Sequence, residues 1–236
     1  GYRGKRLMTR KKSKRFKNLL EISKDKKVET LEIAINNVKK NCTTKFDESI
    51  DVSLKLNLKQ KKEELTLRTV VNLPNGNGKK IRIGVLCEEN KIEEAKKCGA
   101  DVFGSETLVN DITAGKINFD KLVATPTMMT KMGKLGKILG PKGLMPNPKL
   151  GTVTSDISKA VNALKKGQIE IKNDKDGNLS ASIGRKSFPN AKIIDNFKAF
   201  MQTIQKEKPL KIKGDFILSA FLTSSMGISY KLNIKN

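Results

Sequence analysis

Leu73-Pro74-Asn75-Gly76-Asn77-Gly78-Lys79-Lys80-Ile81-Arg82-Ile83-Gly84-Val85-Leu86-Cys87 divides the chain into two kinds of pattern. Before it, Ile50, Val52, Leu54, Leu56 and Leu58 alternate with polar residues. Leu65, Leu67, Thr69, Val71 and Leu73 repeat the alternation after a Lys-rich turn, so the spacing predicts two half-buried antiparallel strands. The Pro-Asn-Gly cluster at 74–78 ends that pattern and marks a boundary. After it comes a short apolar run at 81–87, then a helical pattern at 92–98 ended by Gly99 and a strand at 101–103. A helix at 105–114 ended by Gly115 and a strand at 121–124 follow. Strands alternating with helices in this way imply βαβ units around a parallel sheet.

A Gly- and Lys-rich stretch occupies 131–151, and a helix then runs from Ser155 through Ile157, Ala160, Val161 and Leu164 to a stop at Gly167. Beyond Gly167 the antiparallel character returns. Residues 168–172 and 179–183 flank Asn173-Asp174-Lys175-Asp176-Gly177, which reads as a hairpin connection. A helix over 189–206 carries Ile193, Ile194, Phe197, Phe200, Met201 and Ile204 on one face, and strands near 216–222 and 228–234 close the chain. Upstream, Leu31, Ile33, Ala34, Ile35 and Val38 have helical spacing, with Thr30 placed to cap the first turn. The expected fold class is therefore α/β and α+β in two domains. Residues 1–75 plus 168–236 form a discontinuous, split α+β antiparallel-sheet domain, and residues 76–167 form an inserted parallel βαβ domain. Two crossings, near Asn75 and Gly167, join them and suit hinge motion.

The 236 residues carry 48 Lys and Arg against 24 Asp and Glu, a net charge of +24. An excess of this size calls for a polyanionic partner. Charge alone leaves RNA, DNA and anionic lipid open, as well as a solvated basic surface. Apolar runs fall short of the ~20 residues a spanning helix needs, so any membrane contact is peripheral. Cys42, Cys87 and Cys98 are an odd set without Cys-x-x-Cys spacing, and there is no histidine, which points to a reducing compartment and no zinc site. Without histidine the commonest general base is missing, so catalysis starts from a weak position. Residues 1–17 hold nine Lys or Arg and no acid. They read as a basic arm that orders on nucleic acid, or as the remnant of an organellar targeting region left by processing.

Three segments stand out as candidate contact surfaces. Between Lys121 and Ser155 there is no acidic residue, while Lys134, Lys137, Lys142 and Lys149 lie within a glycine-rich run whose backbone can approach phosphates closely. A nucleotide-phosphate loop is the rival reading, but the Walker spacing cannot be drawn there, and Gly76-Asn77-Gly78 lacks the third glycine of a dinucleotide turn. An irregular loop with solvated lysines is the plain alternative. The other two segments are Lys45-Phe46-Asp47-Glu48-Ser49, ahead of the first strand, and Thr223-Ser224-Ser225-Met226-Gly227, between the last two. In the expected sheet both sit at strand ends, side by side, where hydroxyls, a glycine and an exposed Met or Phe suit folded RNA. A hydroxyl-rich turn is usually only a turn, and a Phe in such a place is usually core.

The motifs Lys45-Phe46-Asp47-Glu48-Ser49, Leu73-Pro74-Asn75-Gly76, Gly99-Ala100-Asp101, Phe119-Asp120, Ala124-Thr125-Pro126 and Gly151-Thr152-Val153 occur in an order that resembles a known family. The most specific block is Leu139-Gly140-Pro141-Lys142-Gly143-Leu144-Met145-Pro146-Asn147-Pro148-Lys149, with Ser225-Met226-Gly227 a second anchor. Together they resemble the bacterial-type form of large-subunit ribosomal protein one, the L-one stalk proteins, from about Lys14 to the end.

That resemblance implies a split α+β domain with an inserted Rossmann-like domain that binds no nucleotide, no cofactor, and no enzymatic activity. It implies that Lys45, Phe46, Glu48 and Ser49, with Thr223, Ser225, Met226 and Gly227, grip the stalk helices of large-subunit ribosomal RNA. It further implies a monomer within the ribosome, whose mobile stalk assists release of deacylated transfer RNA from the exit site, and repression of its own messenger RNA as a second role. Lys134, Lys137, Lys142 and Lys149 are the candidate contacts to transfer RNA or other RNA. Threonine is common in the family where Ser49 and Ser225 stand, which keeps the hydroxyl and drops a methyl. Gly1 to Leu7 lies beyond the usual start of the bacterial proteins. Richness in Lys, Asn and Ile and the basic start point to a mitochondrial ribosome, with a bacterial cytoplasm as the alternative.

Overall fold

The computed structural model describes residues 11–25, 27–58 and 66–234. Most of the first part of the basic arm, including Gly1 to Leu7 and Arg10, and the Lys-rich turn with Leu65 lie outside the described residues.

Helices α1 (Lys14–Ile22) and α2 (Leu31–Lys40) precede strands β1 (Ser49–Leu56) and β2 (Arg68–Asn72). The middle of the chain contributes β3 (Ile83–Leu86), α3 (Ile92–Lys97), β4 (Val102–Gly104), α4 (Glu106–Thr113) and β5 (Lys121–Ala124). Then come α5 (Pro126–Met129), α6 (Gly136–Leu139) and α7 (Ile157–Lys165). The chain closes with β6 (Gln168–Lys172), β7 (Asn178–Arg185), α8 (Asn190–Lys206), β8 (Ile217–Ser224) and β9 (Tyr230–Leu232).

Period-2 alternation in β1 buries Ile50, Val52, Leu54 and Leu56 on one face of an antiparallel sheet ordered β7-β1-β8-β9. Ala34, Ile35 and Val38 of α2 and Ile193, Phe200 and Ile204 of α8 complete that core. Full burial of each large apolar side chain here contributes about 1.5–3 kcal/mol relative to exposure. In the middle of the chain β4-β3-β5 form a parallel sheet with an apolar cluster on each face. One is built from Leu108, Ile112, Met132, Leu135 and Leu139, the other from Ala95, Ile157, Val161 and Leu164. Every residue of β3 is buried, which is why its sequence is a continuous apolar run and not an alternation.

The pairing partners differ from expectation in two places. β2 does not join β1 but pairs antiparallel with β6, in register Arg68↔Lys172. Residues 173–177 do form a tight turn, closed by Asp174 N donating to Asn178 O at 2.8 Å, yet the strands on either side enter different sheets. Alternation fixes which face of a strand is buried and leaves its neighbour open. Thr30 sits at the start of α2 without a side-chain cap bond, and Ile33 is exposed. Asp156 caps α7 by accepting from Lys159 N at 3.1 Å. The end of the expected basic arm, residues 14–17, belongs to a helix that runs on to Ile22: Ser13 Oγ accepts from Phe16 N, and Leu19 is buried.

The two passages between the sheets touch. Gly76 and Gly167 both have positive φ, and a Cβ on Gly167 would lie 2.5 Å from Gly76 Cα, so the two passages meet this closely only because Gly167 lacks a side chain. Asn196, buried in α8, fastens this junction. Its Oδ1 accepts from Asn75 N at 3.1 Å, and its Nδ2 donates to Gly76 O at 2.8 Å and to Ile183 O at 2.7 Å.

Candidate nucleic-acid interface

The ends of β1 and β8 bring residues 45–49 and 223–227 together. Ile50 pairs with Ser224, and the ladder is carried one step further by Ser225 N donating to Ser49 O at 3.1 Å and Ser49 N donating to Ser225 Oγ at 3.0 Å. The Ser225 hydroxyl thus serves as a ladder acceptor at the rim of the sheet. Thr223 is half-buried at the penultimate position of β8, its hydroxyl donating to Ser224 O at 3.2 Å.

Glu48, expected among the surface contacts, is fully buried. Its Oε1 accepts from Met226 N at 2.8 Å, and its backbone O accepts from Lys186 N at 2.9 Å. It holds the 224–227 turn from beneath and does not face a partner. Gly227 lies over Ser224: a Cβ there would overlap Ser224 Oγ, so a larger residue requires the buried Ser224 hydroxyl or the turn to shift. Glu48 Oε2 and Ser224 Oγ are buried without a formed hydrogen bond, beside the Cys42 thiol, which donates to Val38 O and whose pKa burial pushes up.

Asp47 anchors the other side. Its carboxylate accepts from Ser187 N at 3.0 Å and Ser187 Oγ at 2.7 Å, and its backbone O accepts from Arg185 at 3.2 Å. The Ser187 hydroxyl is the main reason its carboxyl lies below the usual range. With Asp47, Glu48 and Ser49 each tied down, Lys45 and Phe46 are left projecting. Phe46 is 54% exposed and Met226 51% exposed, two large apolar side chains that the core does not use. Arg15 of α1 closes the group by donating to Met226 O at 2.8 Å. The assembled surface offers cations for phosphate, hydroxyls for ribose, and an aromatic ring and a thioether for close packing on RNA.

The sequence placed Asp47 in the contact segment and Arg15 in the basic arm without giving either a part in this surface, and Arg185 and Ser187 were missed. For Arg15 a signal existed: Ser13 at a cap position followed by Phe16, Leu19 and Leu20 at helical spacing.

Lys134, Lys137, Lys142 and Lys149 are all exposed, on a segment held down by buried Met132, Leu135, Leu139 and Leu150. No hydrogen bond or ion pair among the described residues links them to the first group. Just past the carboxyl end of β3, the region where sheets of this class hold nucleotides, Glu88 accepts from the Thr127 hydroxyl. A carboxylate in that place opposes a nucleotide phosphate.

Comparison with known proteins places these features in a family. A model described as the ribosomal protein L1p/L10e family matches residues 38–228. A relative, the large ribosomal subunit protein uL1 of Pelagibacter ubique (strain HTCC1062), is 56% identical over 223 residues, spanning 94% of this chain and 97% of that protein.

Proposed function

This chain belongs to the ribosomal protein L1p/L10e family and is a structural, non-enzymatic constituent of the large ribosomal subunit, and on that premise we propose that it grips stalk ribosomal RNA through the joined ends of β1 and β8. The observation that carries the reading is the exposure of Phe46 and Met226 beside Lys45, Arg15 and Ser225, on a turn braced by buried Glu48. Lys45 and Arg15 neutralise phosphate, Ser225 and Thr223 meet ribose or backbone, and Met226 and Gly227 approach the RNA surface closely. Glu48 acts by positioning Met226.

The chain divides at the touching crossings into residues 1–75 plus 168–236, which hold the RNA, and residues 76–167, which swing. Lys134, Lys137, Lys142 and Lys149, on a surface without an acid from 121 to 155, face deacylated transfer RNA leaving the exit site. Repression of the protein's own messenger RNA would use the same sheet-end surface, since a transcript that imitates the ribosomal site presents the same groups. The richness in Lys, Asn and Ile supports a mitochondrial ribosome, and the bacterial relative supports the alternative of a bacterial cytoplasm.

The test is a salt titration of binding to a stalk ribosomal RNA fragment and to an unrelated duplex of equal length, for the wild type and Met226→Asp. The reading expects the stalk RNA to bind orders of magnitude tighter, the variant to lose that preference, and both RNAs to show a steep salt slope. Equal binding of the two RNAs with no effect of Met226→Asp would refute it.

A further inference from the structure

The junction between the two passages is also a cavity of about 630 Å³, a size ordinary for a ligand site. Its walls carry four lysines, Lys79, Lys80, Lys165 and Lys166, and one acid, Asp101. One oxygen of Asp101 accepts from Ile83 N at 2.9 Å, and Lys165 is engaged with Gly99 O. Lys79, Lys80 and Lys166 are exposed and enter no ion pair within 4 Å among the described residues. Like charges gathered around a concave space repel one another and draw in an anion.

The cavity adjoins the sheet-end surface. Gly78 on its wall lies against the Arg185 side chain, so close that a Cβ would sit 2.9 Å from Arg185 Cδ. Arg185 in turn pairs in register with Ser49 and donates to Asp47 O. Arg185 therefore links the sheet-end surface to the cavity wall, on a path from Lys45 to Lys79 that also passes Asp47, held by Ser187, and the half-buried Asp51 near Lys79.

We propose that the junction cavity is a phosphodiester site, in which backbone phosphates of the RNA already held at the sheet ends seat between Lys79–Lys80 of one crossing and Lys165–Lys166 of the other. The inference rests on the RNA-binding reading above. Phosphates bound to both crossings at once couple RNA binding to the angle between the two parts of the chain, because opening the junction separates the lysines that share them.

Among the described residues the Lys80 and Lys166 side chains enter no ion pair, so Lys80→Gln/Lys166→Gln in the full chain should keep the wild-type unfolding temperature. Anisotropy of a labelled stalk ribosomal RNA fragment, titrated with salt, reads the effect. Losing two phosphate contacts should flatten the salt slope by roughly 1.4–1.8 and weaken binding on the order of tenfold to fiftyfold near ~0.1 M salt. Amide resonances of Gly76, Gly78 and Gly167, followed with the same RNA and separately with inorganic phosphate, locate the contact. Shifts with RNA that are lost in the double variant support the site. An unchanged slope and unmoved glycine amides in a protein whose Met226→Asp variant still loses stalk preference overturn this inference alone. Shifts with inorganic phosphate and none with RNA also overturn it, in favour of a small-anion site. Absence of stalk preference in the wild type overturns both this inference and the reading beneath it.

Discussion

Replacing Asn196 with Ala tests whether the junction is held as described. Ile183 is the extra residue of a bulge in β7: Gly184 pairs with Ile50 and Ser182 with Asp51, so Ile183 has no residue opposite it in β1. Asn196 Nδ2 donates to its carbonyl O. Stranding a buried carbonyl costs ~1–3 kcal/mol. The bonds to Gly76 O and Asn75 N, on half-exposed backbone, add about 0.5–1.5 kcal/mol each. The sum is about 4 kcal/mol, which in urea lowers the unfolding midpoint by about 1 M or more for an m-value toward the upper end of ~1–3 kcal/mol/M, with m unchanged. Asn196→Asp sharpens the test. The carboxylate still accepts from Asn75 N but cannot donate to two carbonyls, so at neutral pH it should destabilise at least as much as Ala. A loss below about 1 kcal/mol for Ala, set against those single-bond values, or an Asp variant as stable as the wild type, would refute the role assigned to Asn196.

Gly227→Ala places a Cβ against Ser224 Oγ, which is buried and so pushes back on the turn carrying Met226. Affinity for stalk RNA should fall at least about tenfold, or ~1.4 kcal/mol, in the anisotropy assay, and undiminished affinity would argue that the turn is not a contact. Asp51 is half-buried, and burial raises its pKa above 3.8 despite Ser182 and Lys79 nearby. The folded state therefore keeps that proton longer than the unfolded chain, and the stability it contributes is lost as pH climbs from about 4 through the folded value. Asp51→Asn should remove that loss and unfold at higher urea than wild type at pH 7, and equal midpoints at pH 7 would count against it.

How far the sequence could be read depended on what each signal encodes. The change at 73–87 separated the parallel from the antiparallel parts because a strand buried on both faces is apolar throughout, whereas one buried on a single face alternates. Partner choice was not legible: nothing in 65–73 distinguishes pairing with β1 from pairing with β6, since either buries the same face. The chain order of 45–49 and 223–227 relative to their strands did foretell their meeting at one sheet edge. Glu48 was misjudged because a carboxylate is expected outside, and only the Met226 N–H it accepts explains its burial. Asn196 was invisible for a similar reason: its position on the apolar stripe of α8 is justified by three backbone groups from two other segments, Asn75–Gly76 and Ile183.

The strand β1 lies at the middle of its sheet, yet both its neighbours, β7 and β8, are made more than a hundred residues later. During synthesis it leaves the tunnel with no partner to meet. The parallel sheet, by contrast, draws all its strands from 83–124 and can condense while the C-terminal third is still being translated. Closing the long loop between β1 and β8 is then shortened in effect, because the folded middle already brings Gly76 and Gly167 together. The part of the chain made first is completed last, and the order of folding runs from the inside of the sequence outward.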